Sequence, residues 1–243
     1  MFHIQVSHKF KLPRARFYCA EIICALQYLH SKGVIYRDLK LDNVLLDSAG
    51  HAKLADFGMC KEGVFPGGTT STFCGTPDYI SPEIVTGKSY SYSVDWWSLG
   101  VLSYEMITGQ SPFSGEDEEE LFNSICNSRV PFPSFVTPST ADYLDRLLER
   151  DPEKRLGCLE DKGQPIRRHP FFAPIEWAKL ESGQLEPPFK PKVKSRSDVS
   201  NFDDDFTFQE AKLTPSDTRL IMSIDQSNFT GFSFTNEQFD YGR

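Results

Sequence analysis

Apolar positions along the chain fall into a few distinct patterns, and each predicts an element. Residues 13–32 read as one amphipathic helix, with Cys19, Ile22, Ile23, Leu26 and Leu29 recurring on one face. Pro13 suits the first helical position and Gly33 the stop. Val44–Leu46 and Ala52–Ala55 are short apolar runs separated by the turn-forming stretch Asp47–Gly50, which predicts a hairpin. From Val94 to Thr108 the chain is apolar nearly all round, including Trp96, Trp97, Leu99, Val101, Leu102 and Met106, so a buried central helix is expected, ended by Gly109. Two further helices are predicted near Glu118–Asn127 and Ser139–Glu149. After Trp177 come Pro187, Pro188 and Pro191, a basic run (Lys190, Lys192, Lys194, Arg196), then acids and isolated aromatics. That composition predicts an extended tail laid on a domain, not a second core. The expected fold is therefore mainly α with one small hairpin region, residues 1–177 forming the body and 178–243 the tail.

Composition narrows the function classes. The chain has 243 residues, and 26 Lys+Arg against 34 Asp+Glu leave a formal charge of −8. Hydrophobic residues make up 39%, too many for a wholly disordered chain. No run approaches the ~20 apolar residues of a membrane span. The opening MFHIQVSHKFK carries no apolar signal core, so a cytoplasmic protein is expected. The acidic balance argues against nucleic acid as the main partner and allows a basic one. Cysteines 19, 24, 60, 74, 126 and 158 form no CxxC pair and five histidines are scattered. Reduced packing thiols are expected, not a Cys/His metal site.

The chemistry concentrates in YRDLKLDN at Tyr36–Asn43, followed after the first hairpin strand by DFG at Asp56–Gly58. Asp38, Asn43 and Asp56 are oxygen donors on loops flanking a hairpin, a set that suits Mg²⁺ carried by phosphates. A carboxylate there can accept a hydroxyl proton, and Lys40 can neutralise charge on a transferring group. DFG alone would be no more than a turn with an apolar anchor. It is joined in order by GTPDYISPE at Gly75–Glu83 and DWWSLG at Asp95–Gly100, and coincidence does not account for that series.

Together these motifs resemble the C-terminal half of a protein kinase catalytic domain. The YRD catalytic loop, FCGTPDYISPE and the tail motifs resemble the AGC group of Ser/Thr protein kinases, and within it the novel class of the protein kinase C family, delta/theta type. The resemblance runs from Met1 to about Phe234 and implies a kinase-like large lobe followed by an AGC tail. It implies ATP as substrate with Mg²⁺, transfer of the γ-phosphate to Ser/Thr in basic proteins, and the following roles. Asp38 orients the substrate hydroxyl and takes its proton, and Lys40 contacts the γ-phosphate. Asn43 and Asp56 hold the metal. Leu45 packs beneath the adenine and Phe202, in Asn201–Asp203, lies near it. Thr76 bonds Asp38 and Lys40. Asp42 and Glu105 face basic substrate side chains, although Asp42 also reads as a plain solvated loop acid. The acidic run Glu116–Glu120 reads as a solvated face. Glu83 pairs with Arg155 and Asp95 holds the catalytic loop, both architectural roles. Thr72, Thr214 (in LTP) and Ser233 (in FTGFSF) match three regulatory phosphorylation sites in order and spacing. Thr72 would be modified by an upstream AGC kinase and its phosphate met by Arg37 and Lys61.

Departures from the pattern carry expectations too. Ser81 stands where Ala is commoner. The sequence contains no GxGxxG loop and no strand lysine of the VAIK type, and Met1 would fall in the helix after the inter-lobe hinge. The small β-rich lobe is therefore expected to be absent, as are the diacylglycerol-binding zinc modules through which such kinases reach membranes. The chain reads as a truncated product, a gene model or a fragment, with little activity alone. The alternative is a non-catalytic module that binds basic peptides or kinase partners.

Overall fold

A computed structural model describes residues 9–158, 164–213 and 217–233. It divides into a unit of residues 1–203 and a second of residues 204–243.

The first unit is built around helix Ser93–Thr108, in which every residue but Glu105 and Thr108 is buried. The all-round apolar sequence puts this helix in the middle of the core. Gly109 ends it at φ 81°, a left-handed turn that suits glycine. For brevity, α1 is Leu12–Ser31, β1 and β2 are Val44–Leu46 and Ala52–Leu54, α2 is Pro82–Val85, α3 is the central helix, α4 is Glu118–Asn127, α5 is Pro138–Leu147, α6 is Gln164–Arg167 and α7 is Trp177–Glu181. Helices α1 and α5 pack on α3. The buried Cys19 thiol lies 3.2 Å from the Ser103 hydroxyl, which lies 3.2 Å from the Tyr143 hydroxyl, so the polar atoms at this junction satisfy one another. Tyr143 stacks on Phe171 at 4.2 Å, with Phe172 edge-on to both. All six cysteines are free.

The two strands pair antiparallel, Val44 opposite Leu54 and Leu46 opposite Ala52. One side chain fixes this hairpin to α1: Glu21 meets His51 Nδ1 at 2.6 Å with one oxygen and accepts the Ala52 N–H at 2.7 Å with the other. Asp47 Oδ1 accepts the Ala49 and His51 N–H groups and shapes the turn.

The predicted elements recur with shifts of one or two residues at their ends. Helix α1 starts one residue early, so Pro13 sits inside its first turn. Helix α5 starts at Pro138 because the Thr137 side chain caps it, accepting the Thr140 N–H. The short helices α2, α6 and α7 were not anticipated, since four or five residues carry no readable periodicity.

Beyond α7, residues 185–192 run as an extended strap whose side chains alternate half-buried and exposed, leaving Lys190 and Lys192 outward. Phe189 is pinned from both sides. Its ring lies 3.9 Å from the Arg14 guanidinium, and its carbonyl approaches Gly50 so closely that a Cβ there would sit 2.0 Å away. Taken by itself, the second unit contains α8 (Asp204–Thr207), α9 (Thr218–Ser223) and a 3₁₀ turn at Gln226–Phe229, with no buried residue in any of them. Among the described residues no helix is long and apolar enough to cross a membrane.

Candidate active site

The site begins with the carboxylate of Asp95 in the first turn of α3, fully buried. It accepts the Tyr36 N–H at 2.9 Å and the Arg37 N–H at 2.8 Å, and meets His30 Nε2 at 2.7 Å. Two bonds from the core helix thus hold the backbone entering YRDLKLDN, and a third ties in His30 from α1. That grip sustains Arg37 at φ 66°, a conformation a side-chain-bearing residue adopts only when its surroundings impose it.

Asp38 follows, 5% exposed. Thr76 donates to its Oδ1 at 2.8 Å, Asn43 Nδ2 donates to its Oδ2 at 2.8 Å, and Lys40 Nζ lies 3.2 Å from Oδ2. Lys40 Nζ also donates to the Thr76 hydroxyl at 2.9 Å. Asp38, Lys40 and Thr76, 36 to 38 residues apart in two of the pairings, form a closed triangle.

Asn43 uses its amide nitrogen twice on Asp38, on the carboxylate and, at 2.9 Å, on the carbonyl. Its amide oxygen remains as an acceptor. The hairpin brings Asp56 beside it, because the Ala55 N–H bonds the Asn43 carbonyl at 2.9 Å. Asp56 is exposed and holds φ 54°, the other non-glycine residue at positive φ among those described. One of its oxygens accepts the Gly58 N–H at 3.1 Å. Leu45 on β1, two residues past Asn43, is an apolar side chain left 43% exposed. Phe57 sets its ring edge-on to Tyr36 at 5.5 Å, and Phe202 is exposed.

Glu105 is the charged residue of α3 that escapes full burial. It accepts the Tyr79 hydroxyl and, among the described residues, has no ion-pair partner. Burial pushes its carboxyl up to about 7; the Tyr79 bond lowers it, and Asp78 and Asp42 raise it further. Asp42 is exposed in the 3₁₀ turn Leu41–Asn43.

Thr72 is exposed. Its carbonyl accepts the Tyr90 hydroxyl at 2.7 Å, and Arg37 Nη1 donates to that same hydroxyl at 3.1 Å. Lys61 pairs its backbone with Ile35, two residues before Arg37. Ser233 is exposed, and Thr214 and Phe234 lie outside the described residues. Away from the site, Arg155 grips Glu83 with two parallel bonds of 2.6 and 2.9 Å, both side chains buried. Burial alone would raise the Glu83 carboxyl; the Arg155 guanidinium holds it below its usual value.

His30, Tyr79 and Tyr90 were not singled out from the sequence. Each is one side chain whose role depends on a partner far along the chain, and only the order HxxxxxYRD hints at the first.

The protein kinase domain model matches residues 1–172, and the protein kinase C terminal domain model matches residues 193–234. The chain belongs to the protein kinase family. It is 60% identical over 240 residues to protein kinase C delta type of Mus musculus, covering 99% of this chain and 35% of that protein. The human protein of that name is 58% identical over 241 residues, again 99% of this chain and 35% of the relative. Protein kinase C-like 1B of Caenorhabditis elegans is 54% identical over 243 residues, 99% of this chain and 34% of the relative. The chain thus spans about a third of the length of these curated relatives.

Proposed function

We propose that residues 1–177 are the large lobe and residues 178–243 the tail of a Ser/Thr protein kinase of protein kinase C type, acting on basic protein substrates. The observation that carries this reading is the Asp38–Lys40–Thr76 triangle. Asp38 Oδ1 accepts one bond, from Thr76, and keeps a lone pair for a substrate hydroxyl. Holding that hydroxyl in line supplies orientation, the main catalytic resource in phosphoryl transfer, and the carboxylate then takes its proton. Lys40 stands 3.2 Å from Asp38, where its charge faces the transferring group.

The donor set fits magnesium arriving with ATP. The oxygens of Asn43 and Asp56 remain as acceptors just before β1 and just after β2, while no group of three or more metal-ligating side chains exists among the described residues. One or two protein oxygens plus phosphates match that ion's habit. The bound metal would neutralise charge developing on the phosphates. Leu45 offers the adenine an apolar face, with Phe202 as its second contact. Asp42 and Glu105 receive basic side chains of the substrate. An upstream AGC kinase acts on Thr72, and membrane or diacylglycerol binding belongs to regulatory modules outside these residues.

A second reading rests on the sequence itself. The 243 residues contain no glycine-rich loop and no VAIK-type lysine, so alone they would engage basic peptides through Asp42 and Glu105 without turnover. Both readings meet one test. The chain, alone and joined to a nucleotide-binding lobe, is assayed with Mg·ATP and an Arg/Lys-rich Ser peptide. Phosphate transfer by the joined form supports the kinase. Absence of transfer with peptide binding retained supports the binding module.

A further inference from the structure

Tyr90 is 3% exposed, yet its hydroxyl sits where three segments meet. A phenol has one proton and two lone pairs. The proton goes to the Thr72 carbonyl at 2.7 Å. Arg37 Nη1 donates to the oxygen at 3.1 Å, and the Cys74 thiol, 3.7 Å away, must be the other donor because the phenol proton is already placed. The hydroxyl is therefore completely satisfied. Below it, the Tyr90 and Thr70 backbones exchange both N–H···O bonds, at 2.8 and 2.9 Å, so the ring cannot drift from the segment it holds. Arg37 is fixed from its other side, with Nε on the Met59 carbonyl at 2.6 Å and its backbone on Asp95. Of five guanidinium N–H groups, those on Nη2 have no protein acceptor among the described residues. The Thr72 hydroxyl likewise has none.

We propose that Tyr90 is a positioning residue for modification of Thr72: its hydroxyl fastens the Thr72 carbonyl to the Arg37 guanidinium before any phosphate is present. The inference rests on the reading of Thr72 as a phosphorylation site. A phosphate on Thr72 meets a cation already aligned with free donors, so the ordering cost of the segment falls on the fold and not on the modification. Because Arg37 also holds Met59, three residues past Asp56, the same hub ties the Thr72 segment to the DFG turn.

Tyr90→Phe keeps the ring and removes the hydroxyl. In the unphosphorylated 243-residue chain, chymotryptic cleavage after the exposed Phe73 should accelerate about five-fold, the equivalent of one ordinary hydrogen bond, while amide exchange in α3 is unchanged. A cleavage rate at Phe73 within two-fold of the parent overturns the proposal. This arm does not depend on Thr72 being modified. Should exchange in α3 accelerate as well, Arg37→Lys, which withdraws the Nη1 donor, decides: faster cleavage at Phe73 with α3 exchange unchanged supports the hub, and unchanged cleavage overturns it. In chain phosphorylated at Thr72, a ³¹P titration should place the phosphate below the ordinary second pKa of about 6. Tyr90→Phe should return it toward that value, whereas a purely structural role would leave it where it was. An identical titration in parent and variant overturns the positioning role. Failure of upstream kinases to modify Thr72 refutes the phosphorylation-site reading and leaves the cleavage measurement to decide the hub.

Discussion

Glu83 and Asp38 are both buried carboxylates facing a cation, and the fold completes them to different degrees. Glu83 takes two parallel bonds from a guanidinium that is itself 0% exposed, plus the Ser93 hydroxyl at 3.0 Å. Arg155 gives its remaining donors to the Ser93 and Glu149 carbonyls, both at 2.8 Å, and to the Arg150 carbonyl at 3.5 Å. Nothing in that pair is left for a ligand. Asp38 is held by two neutral donors and a lysine whose side chain remains 23% exposed. Glu105 goes further: burial, with no ion-pair partner among the described residues, keeps its carboxyl at about 7. Where the protein closes every lone pair, a charge is architecture; where it stops short, the charge is available to a substrate.

The comparison breaks most visibly at the closed pair. Arg155→Ala strands a buried carboxylate and should cost about 3–5 kcal/mol in urea unfolding followed by tryptophan fluorescence, enough to threaten folding. Replacing both partners with apolar residues of similar size should cost far less. The sign of the pH dependence follows from the depressed Glu83 value. Its contribution is complete above the ordinary value of 4.5 and fades as pH falls through the lower folded value.

Asp38→Asn addresses the open site. In the two-lobed form kcat should fall about 10²–10⁴-fold, as expected for loss of a general base, with stability and nucleotide affinity near normal. A drop in stability comparable to that of Arg155→Ala would erase the distinction between the two carboxylates.

Glu105→Gln sharpens the third case. Glu105 has a folded value of about 7 against 4.5 unfolded, so the stability owed to its neutral form is present below 4.5 and lost as pH rises through 7. The variant should therefore exceed the parent in thermal stability at pH 8 and match it near pH 5. Affinity of the parent for a basic peptide should rise through pH 7, and the variant should show no such rise.

The smallest effect is expected at Thr76. Thr76→Ala removes a bond to Asp38 and one from Lys40, and should lower kcat about five-fold, the worth of one hydrogen bond. Thr76→Ser should restore it.

The hydrophobic pattern by itself determined α1, the hairpin, α3, α4 and α5 to within one or two residues. Burial imposes periodicity, and an all-round apolar stretch such as Val94–Thr108 has few places to go but the core. Short motifs marked Asp38, Lys40, Asn43 and Asp56 as a chemical set, because residue type and local order carry that information; Thr76 entered only through the family resemblance. What the sequence withheld is pairing across long separations. Tyr90 with Arg37 and Thr72, Tyr79 with Glu105, His30 with Asp95 and the Arg14–Phe189 clamp join positions 18 to 175 residues apart. No one-dimensional period encodes them. Nor does the sequence reveal the raised carboxyl of Glu105. It shows an acid near the end of a helix, and only the packed structure removes the water around it.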